Sequence, residues 1–277
     1  MPSKRLASIA VLCLSLAAMA TACSDDTKTT AAATVTPSTP SGSASAPASS
    51  PAVQGLAVDT LSGAEIAKQA QAATAALTSV KIDGSVTNDG SSTTLQLAAD
   101  RKGNCAGTVS VPATGRVDIL RTSAQVWLKP DAVFWKQLAT QKGGPRAGAM
   151  AAELFKGRYL TGGQNDATVT QTASMCDLVD SIAKDDDGTP STYTKGSAGT
   201  TNGVKTLSLV ATDADGVRST MYIATEGKPY LVRVERTDSP QTDHMDLSDF
   251  DKPVTVQAPP ADTVIDYSAF QDKLKTA

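Results

Sequence analysis

The sequence predicts an α+β fold, a large antiparallel β-sheet with several α-helices gathered on one face. Two observations carry this. Two blocks of period-two alternation, punctuated by Gly, Asp and Pro turns, read as antiparallel meanders with one wet face and one apolar face. Before and between the blocks lie segments whose apolar residues recur at helical spacing.

Leu61–Thr78 opens the domain as a helix. Ser62 with Glu65 three residues later makes a capping box, and Ile66, Ala70, Ala73 and Leu77 form one stripe. The first block of strands follows. Val80–Thr87 places Val80, Ile82, Gly84 and Val86 on one face, and Asn88-Asp89-Gly90 turns the chain because Asp-Gly supplies the positive φ of a hairpin turn. Thr93–Ala99 points Leu95 and Leu97 inward, and Cys105–Val111 repeats the pattern with Cys105, Gly107, Val109 and Val111. Arg116–Arg121 and Gln125–Lys129 form the next hairpin.

The middle of the chain is helical. Asp131–Thr140 clusters Phe134, Trp135 and Leu138; Ala147–Lys156 carries Met150, Leu154 and Phe155; Gln171–Lys184 sets Met175, Leu178, Val179 and Ile182 on one face. The second block is Gly203–Ala211, Val217–Thr225 and Tyr230–Arg236, separated by the turns Asp213-Ala214-Asp215-Gly216 and Glu226-Gly227-Lys228-Pro229. In its last strand Tyr230, Val232 and Val234 alternate against Leu231, Arg233 and Glu235. Met245–Phe250 reads as a short strand, Val254–Gln257 as a segment that pairs after Pro253, and Thr263–Tyr267 as the lead into a short helix at Ser268–Leu274.

The start of the chain reads as an export signal. Lys4 and Arg5 precede an apolar run, Leu6–Met19, too short for a comfortable membrane span. Ala20-Thr21-Ala22-Cys23 resembles the lipobox of a bacterial lipoprotein, which implies cleavage before Cys23 and a diacylglycerol on its thiol; position 20 is Ala where Leu is more usual. An ordinary secretory signal cut near Ala22 is the alternative. Ser24–Val53 is rich in Ser, Thr, Ala and Pro and lacks the apolar surface to offset ordering entropy, so it reads as a disordered tether. Such a tether spans on the order of 30 Å on average. The expected organisation is therefore a signal peptide at 1–22, the lipidated cysteine and tether at 23–55, and one folded domain at 56–277, held by its lipid anchor on the extracytoplasmic face of the cell membrane.

Charge and cysteine usage narrow the function. The chain has 25 Lys and Arg against 28 Asp and Glu, and no basic cluster, which makes nucleic acid a poor partner. Cys13 lies in the signal and Cys23 is the lipid site, leaving Cys105 and Cys176 as an even pair in an exported chain; a disulfide is the first reading and a free thiol the alternative. Two cysteines and one histidine do not make a structural zinc set, so no metal and no cofactor is expected. His244, the single histidine, sits among acidic residues without a Gly-x-Ser-x-Gly elbow elsewhere, and reads as a surface histidine rather than a general base. Asp185-Asp186-Asp187-Gly188 lacks EF-hand spacing, and Asp213-Ala214-Asp215-Gly216 is explained by turn geometry. The expectation is a monomeric protein that is not an enzyme.

The function then turns on what the apolar face covers. A dry core and an acyl-chain pocket use the same residue types. Here a resemblance adds weight. The lipobox and tether, the Ala-rich helix running into Ser79-Val80-Lys81-Ile82-Asp83-Gly84-Ser85-Val86, the hairpin Val126-Trp127-Leu128-Lys129 with Phe134-Trp135, and above all the tail from Leu247 through Asp251-Lys252-Pro253-Val254 to Pro259-Pro260-Ala261-Asp262 resemble the LppX/LprG-type lipoproteins, whose fold is similar to the LolA/LolB carriers. The cysteine pair departs from the best-known carriers. The resemblance implies a half-barrel of antiparallel strands wrapped around helices, with an apolar cavity holding lipid or glycolipid acyl chains. Strand parity nominates Leu95, Leu97, Val109, Val126, Leu128, Phe134, Leu138, Leu207, Leu209, Met221, Ile223 and Val232 as its lining. The alternative is an interaction or regulatory lipoprotein that keeps the fold, fills the pocket and serves a membrane-protein partner.

Overall fold

The computed structural model describes residues 55–88, 90–162, 167–184, 191–236 and 243–268. These residues form one open sheet of twelve strands and four α-helices. The strands are β1 (Ser79–Asn88), β2 (Ser91–Asp100), β3 (Cys105–Val111), β4 (Gly115–Arg121), β5 (Val126–Pro130), β6 (Tyr159–Thr161), β7 (Thr192–Thr201), β8 (Val204–Thr212), β9 (Arg218–Ala224), β10 (Leu231–Arg236), β11 (His244–Ser248) and β12 (Val264–Asp266). The helices are α1 (Gly63–Ala75), α2 (Ala132–Leu154), α3 (Ala167–Ser174) and α4 (Leu178–Lys184).

Across the sheet the order is β12-β6-β5-β4-β3-β2-β1-β11-β10-β9-β8-β7. The two meanders seen in the sequence are its two wings. β11 joins them, pairing with β1 on one side and β10 on the other. The pairs are antiparallel except β6 with β12, which run parallel. The sheet is therefore mixed rather than purely antiparallel, because the tail returns after β11 to add a strand at the far edge.

The alternation works as expected. Leu95, Leu97 and Ala99 of β2 and Val117 and Ile119 of β4 are buried on one face. Two small residues on that face have a specific job. A Cβ on Gly107 would fall on the Gln96 carbonyl oxygen and crowd Leu97 Cα in β2; one on Gly84 would meet the His244 carbonyl in β11. Glycine here permits close approach of neighbouring strand backbones; it does not leave room for a ligand.

α1 begins at its capping box. Glu65 N–H donates to Ser62 Oγ at 3.2 Å, and Ser62 N–H to Glu65 Oε2 at 2.7 Å. Ile66, Ala70 and Leu77 of the predicted stripe are buried. The helix stops at Ala75 rather than Thr78, and the Arg101 guanidinium donates to the free carbonyls of Ala75 and Leu77. The two helices expected before and after Gly144 abut as α2. Gly144, at φ +79, breaks the helical path ahead of Pro145, whose ring excludes the α conformation in the residue before it. In the second half Phe155 is buried, but Met150 and Leu154 are 73% and 64% exposed, contrary to a shared apolar face.

The helix expected over 171–184 is divided. α3 and α4 are joined by a 3₁₀ turn, Met175–Asp177. Cys176 in that turn is bonded to Cys105 at the start of β3. The Arg121 guanidinium donates to the carbonyls of Ala173 and Cys176 and pairs with Asp177 at 2.7 Å. The tightened turn is thus held by one covalent bond and one cation.

Three strands escape sequence reading. β7 is an edge strand, exposed along nearly its whole length, so it carries no apolar alternation. β6 and β12 are three residues each. Conversely, Val254–Gln257 forms no strand. The chain leaves β11 at Ser248 because Asp249 and Asp251 take left-handed φ values of 51° and 59°, and Pro253 and Pro259 offer no backbone donor. The expected C-terminal helix begins at Tyr267 and Ser268; its remainder lies outside the described residues, as does Asp185-Asp186-Asp187-Gly188.

The apolar face is covered in three patches. Residues of β1–β5 and β11 pack with Cys176 and Val179 beneath α3 and α4. α1 lies over β8 and β9 through Ile66, Ala70, Leu207, Leu209 and Ile223. α2 closes the far end through Trp135, Phe155 and Leu160, with the Trp135 and Phe155 rings stacked at 4.4 Å.

Candidate functional site

Most of the residues nominated as pocket lining are packed core. Leu95, Leu97, Val109 and Leu128 are buried beneath the α3–α4 segment, with Val126 and Phe134 packed against them. Leu207, Leu209 and Ile223 are buried under α1, with Met221 at their edge, and Val232 of β10 is buried. Leu128, Phe134 and Leu138 also border a small apolar cavity of about 60 Å³ with Trp135, Leu160 and Tyr267. Val126 borders a more polar cleft near Arg121 and Asp177. Cys23 lies outside the described residues; Cys105 and Cys176 form the disulfide, with 5.7 Å between their Cα atoms.

A different apolar cleft, of about 260 Å³, opens where the two wings meet. Val86 of β1, Val234 of β10, Met245 and Leu247 of β11 and Ile182 of α4 form its walls, with Leu231. Val86 and Val234 are the last inward apolar positions of their strands. Leu231 is here against the expectation of alternation. The register of β10 against β9 slips between Leu231 and Arg233, a β-bulge that lets both Leu231 and Val232 turn inward. No parity argument finds a bulge; the cleft is where that irregularity falls.

The mouth of the cleft is polar. Val234 pairs with Met245 across β10 and β11, and one step outward on the same face come Arg236 and Asp243. Asp243 pins three strands at the beginning of β11. Its backbone carbonyl accepts from Arg236 N–H at 3.0 Å, and its Oδ1 accepts from Thr87 N–H of β1 at 2.9 Å. Its Oδ2 is buried without a hydrogen-bond partner; the nearest cation, Arg236 Nη1, stands at 3.9 Å. The other buried side-chain polar atom without a hydrogen-bond partner among the described residues is Trp135 Nε1, in the residue bordering the smaller cavity.

The opposite face of β10 and β11 is a charged ladder. Arg233 Nε and Nη2 donate to both oxygens of Asp246, at 2.5 and 2.8 Å, and Nη1 pairs with Glu235. Burial opposes the charge on Asp246, but donors from Arg233 and Asn202 and the Arg233 charge outweigh it and hold the carboxyl below its usual range. His244 shares this ladder, with Nε2 at 4.0 Å from Asp246 Oδ2. The ladder fixes the register on which the cleft depends. Among the described residues no group of three or more His, Cys, Asp or Glu side chains is placed to hold a metal ion. No helix among them is long and apolar enough to cross a membrane.

No family model matches the chain, and no curated protein matches it. Solved structures are similar to it over most of the described domain. LprF from Mycobacterium bovis is 16% identical, with a TM-score of 0.47, over 71% of this chain and 96% of that one. The Mycobacterium tuberculosis lipoprotein LppX is 13% identical, with a TM-score of 0.38, over 70% and 97%. The MucA/MucB complex of Pseudomonas aeruginosa gives 12% identity and a TM-score of 0.29, over 72% of this chain and 59% of that one.

Proposed function

We propose that this protein is a membrane-tethered extracytoplasmic lipoprotein, acylated at Cys23, whose domain at 56–277 binds an acyl chain in the cleft between β1, β10, β11 and α4. The observation that supports this is the open apolar cleft itself. Val86, Ile182, Leu231, Val234, Met245 and Leu247 keep about 260 Å³ unfilled at the junction of the two wings. That volume sits just below the range of about 300–1,000 Å³ common for small-molecule sites, so the fit is to one chain rather than to several. Each methylene buried there contributes about 0.8 kcal/mol before the cost of association. Binding and release of such a ligand needs no bond chemistry, and the protein acts as a carrier, not as an enzyme.

A second reading rests on a specific observation. Leu95, Leu97, Leu209, Ile223 and Val232, nominated as pocket lining, are buried core. A domain so filled also suits a regulatory lipoprotein that engages a membrane-protein partner. The two readings separate on one experiment. Val234→Trp fills the cleft at its wall. In a titration of the full-length protein with a fluorescent fatty acid, the carrier reading expects saturable binding that this variant weakens by about ten-fold or more. Absence of binding by the unaltered protein would leave the regulatory reading standing.

A further inference from the structure

We propose that the mouth of the cleft is a headgroup site for an uncharged, hydroxyl-bearing lipid, in which Asp243 Oδ2 accepts from one ligand hydroxyl and the Arg236 guanidinium donates to a neighbouring one. This rests on the acyl-chain reading of the cleft. It is carried by an independent observation, a carboxylate oxygen buried without a hydrogen-bond partner at the rim of an apolar space.

Asp243 is 5% exposed, and its two remaining acceptor groups are used internally, Oδ1 by Thr87 N–H and the carbonyl by Arg236 N–H. Those bonds account for its position at the start of β11. They do not account for Oδ2. A buried polar atom left without a partner costs about 1–3 kcal/mol, and more when charged, so such atoms call for a cause. Asparagine would make the same two strand contacts without a buried charge.

The surroundings select the ligand. Asp243 and Arg236 are cross-strand neighbours on the inward face, directly above Val234 and Met245, so a chain lying against those apolar walls brings its polar end between them. A carboxylate or phosphate there meets the Asp243 charge at close range. An ammonium meets the Arg236 guanidinium, 3.9 Å from Oδ2. A pair of hydroxyls suits both, since each hydroxyl donates to a carboxylate and accepts from a guanidinium. A site built to bond a ligand hydroxyl discriminates strongly against an analogue that lacks it.

The test compares ten-carbon ligands below their micelle concentrations on the full-length protein: 1-decanoylglycerol, decyl glucoside, methyl decanoate and decanoate. At least one of the two polyols is expected to bind about ten-fold tighter than methyl decanoate, and decanoate weaker than either. Preference for decanoylglycerol assigns the mouth to glycerol headgroups, and preference for the glucoside to sugars. Asp243→Asn is expected to bring the polyol-to-ester ratio close to one. Equal binding of polyols and ester by the unaltered protein, a measurement that needs no variant, overturns the headgroup site and leaves the acyl cleft intact. Retention of the ratio in Asp243→Asn overturns it as well. Failure of every ligand to bind overturns the cleft reading and this one with it.

Discussion

Cys105, at the start of β3, is disulfide-bonded to Cys176 in the 3₁₀ turn between α3 and α4, and both residues are fully buried. The bond ties the middle of one wing of the sheet to the helical segment that covers it. The segment continues directly into α4, which carries Ile182 to the wall of the cleft. A cleft wall made by a seven-residue helix is held in place from a point six residues away.

Removing that bond should loosen the domain. The bridge closes a separation of 71 residues, worth about 4 kcal/mol in the chain-entropy model. The double variant Cys105→Ala with Cys176→Ala should lose about 2–4 kcal/mol, read as a fall in thermal midpoint of roughly 10 °C. An unchanged melting curve would show that Arg121 and core packing alone hold the turn.

Asp251 should make the tail sensitive to acid. Thr78 N–H donates to its carboxyl at 2.9 Å, Tyr230 Oη at 2.7 Å, and Thr78 Oγ1 and Lys228 Nζ add to them, so the carboxyl is held down to about 2 from an ordinary 3.8. A depressed carboxyl stabilises the fold fully above about pH 4, and the contribution is lost as pH falls through 2. Because the side chain is a third exposed, solvent screening leaves about 1 kcal/mol of it. Asp251→Asn tolerates the same left-handed φ. Its deficit in denaturant melts should be present at pH 7 and vanish near pH 2.

Core and cleft should separate by substitution. Leu209 is 0% exposed beneath α1, so Leu209→Ala should cost about 2–5 kcal/mol of stability while fatty-acid affinity changes little in the folded fraction. Ile182→Ala, at the cleft wall, should weaken binding with a smaller loss of stability. Equal effects of both variants on affinity would merge the two regions into one pocket.

The glycines of the sheet should divide by backbone proximity. Gly107→Ala forces its Cβ onto the Gln96 carbonyl and should destabilise by about 2 kcal/mol. Gly199, on the β7 edge, has nothing within 4 Å of the point where a Cβ would stand, and Gly199→Ala should be neutral or slightly stabilising by thermal melting.

The sequence alone determined the α+β class, the two meanders and the capped helix, since these depend on patterns within a few residues: alternation in β2 and β4, the Ser62–Glu65 box, the turn at Asp213, whose Oδ1 accepts from Asp215 and Val217 N–H. The cysteine pair was legible too, by elimination of Cys13 and Cys23. Tertiary structure decided what those patterns could not reach. Whether an inward Leu is core or cavity wall depends on how closely a helix lies over it, and α1 and the α3–α4 segment lie close enough to bury Leu209 and Leu97. The apolar cleft of about 260 Å³ fell at the junction of the wings, where β11 inserts between β1 and β10, β10 bulges at Leu231, and Asp243 comes to face Arg236 at the rim, while Leu128, Phe134 and Leu138 border only the smaller cavity. Each of those is a pairing between residues far apart in the chain, set by register and packing rather than by local alternation.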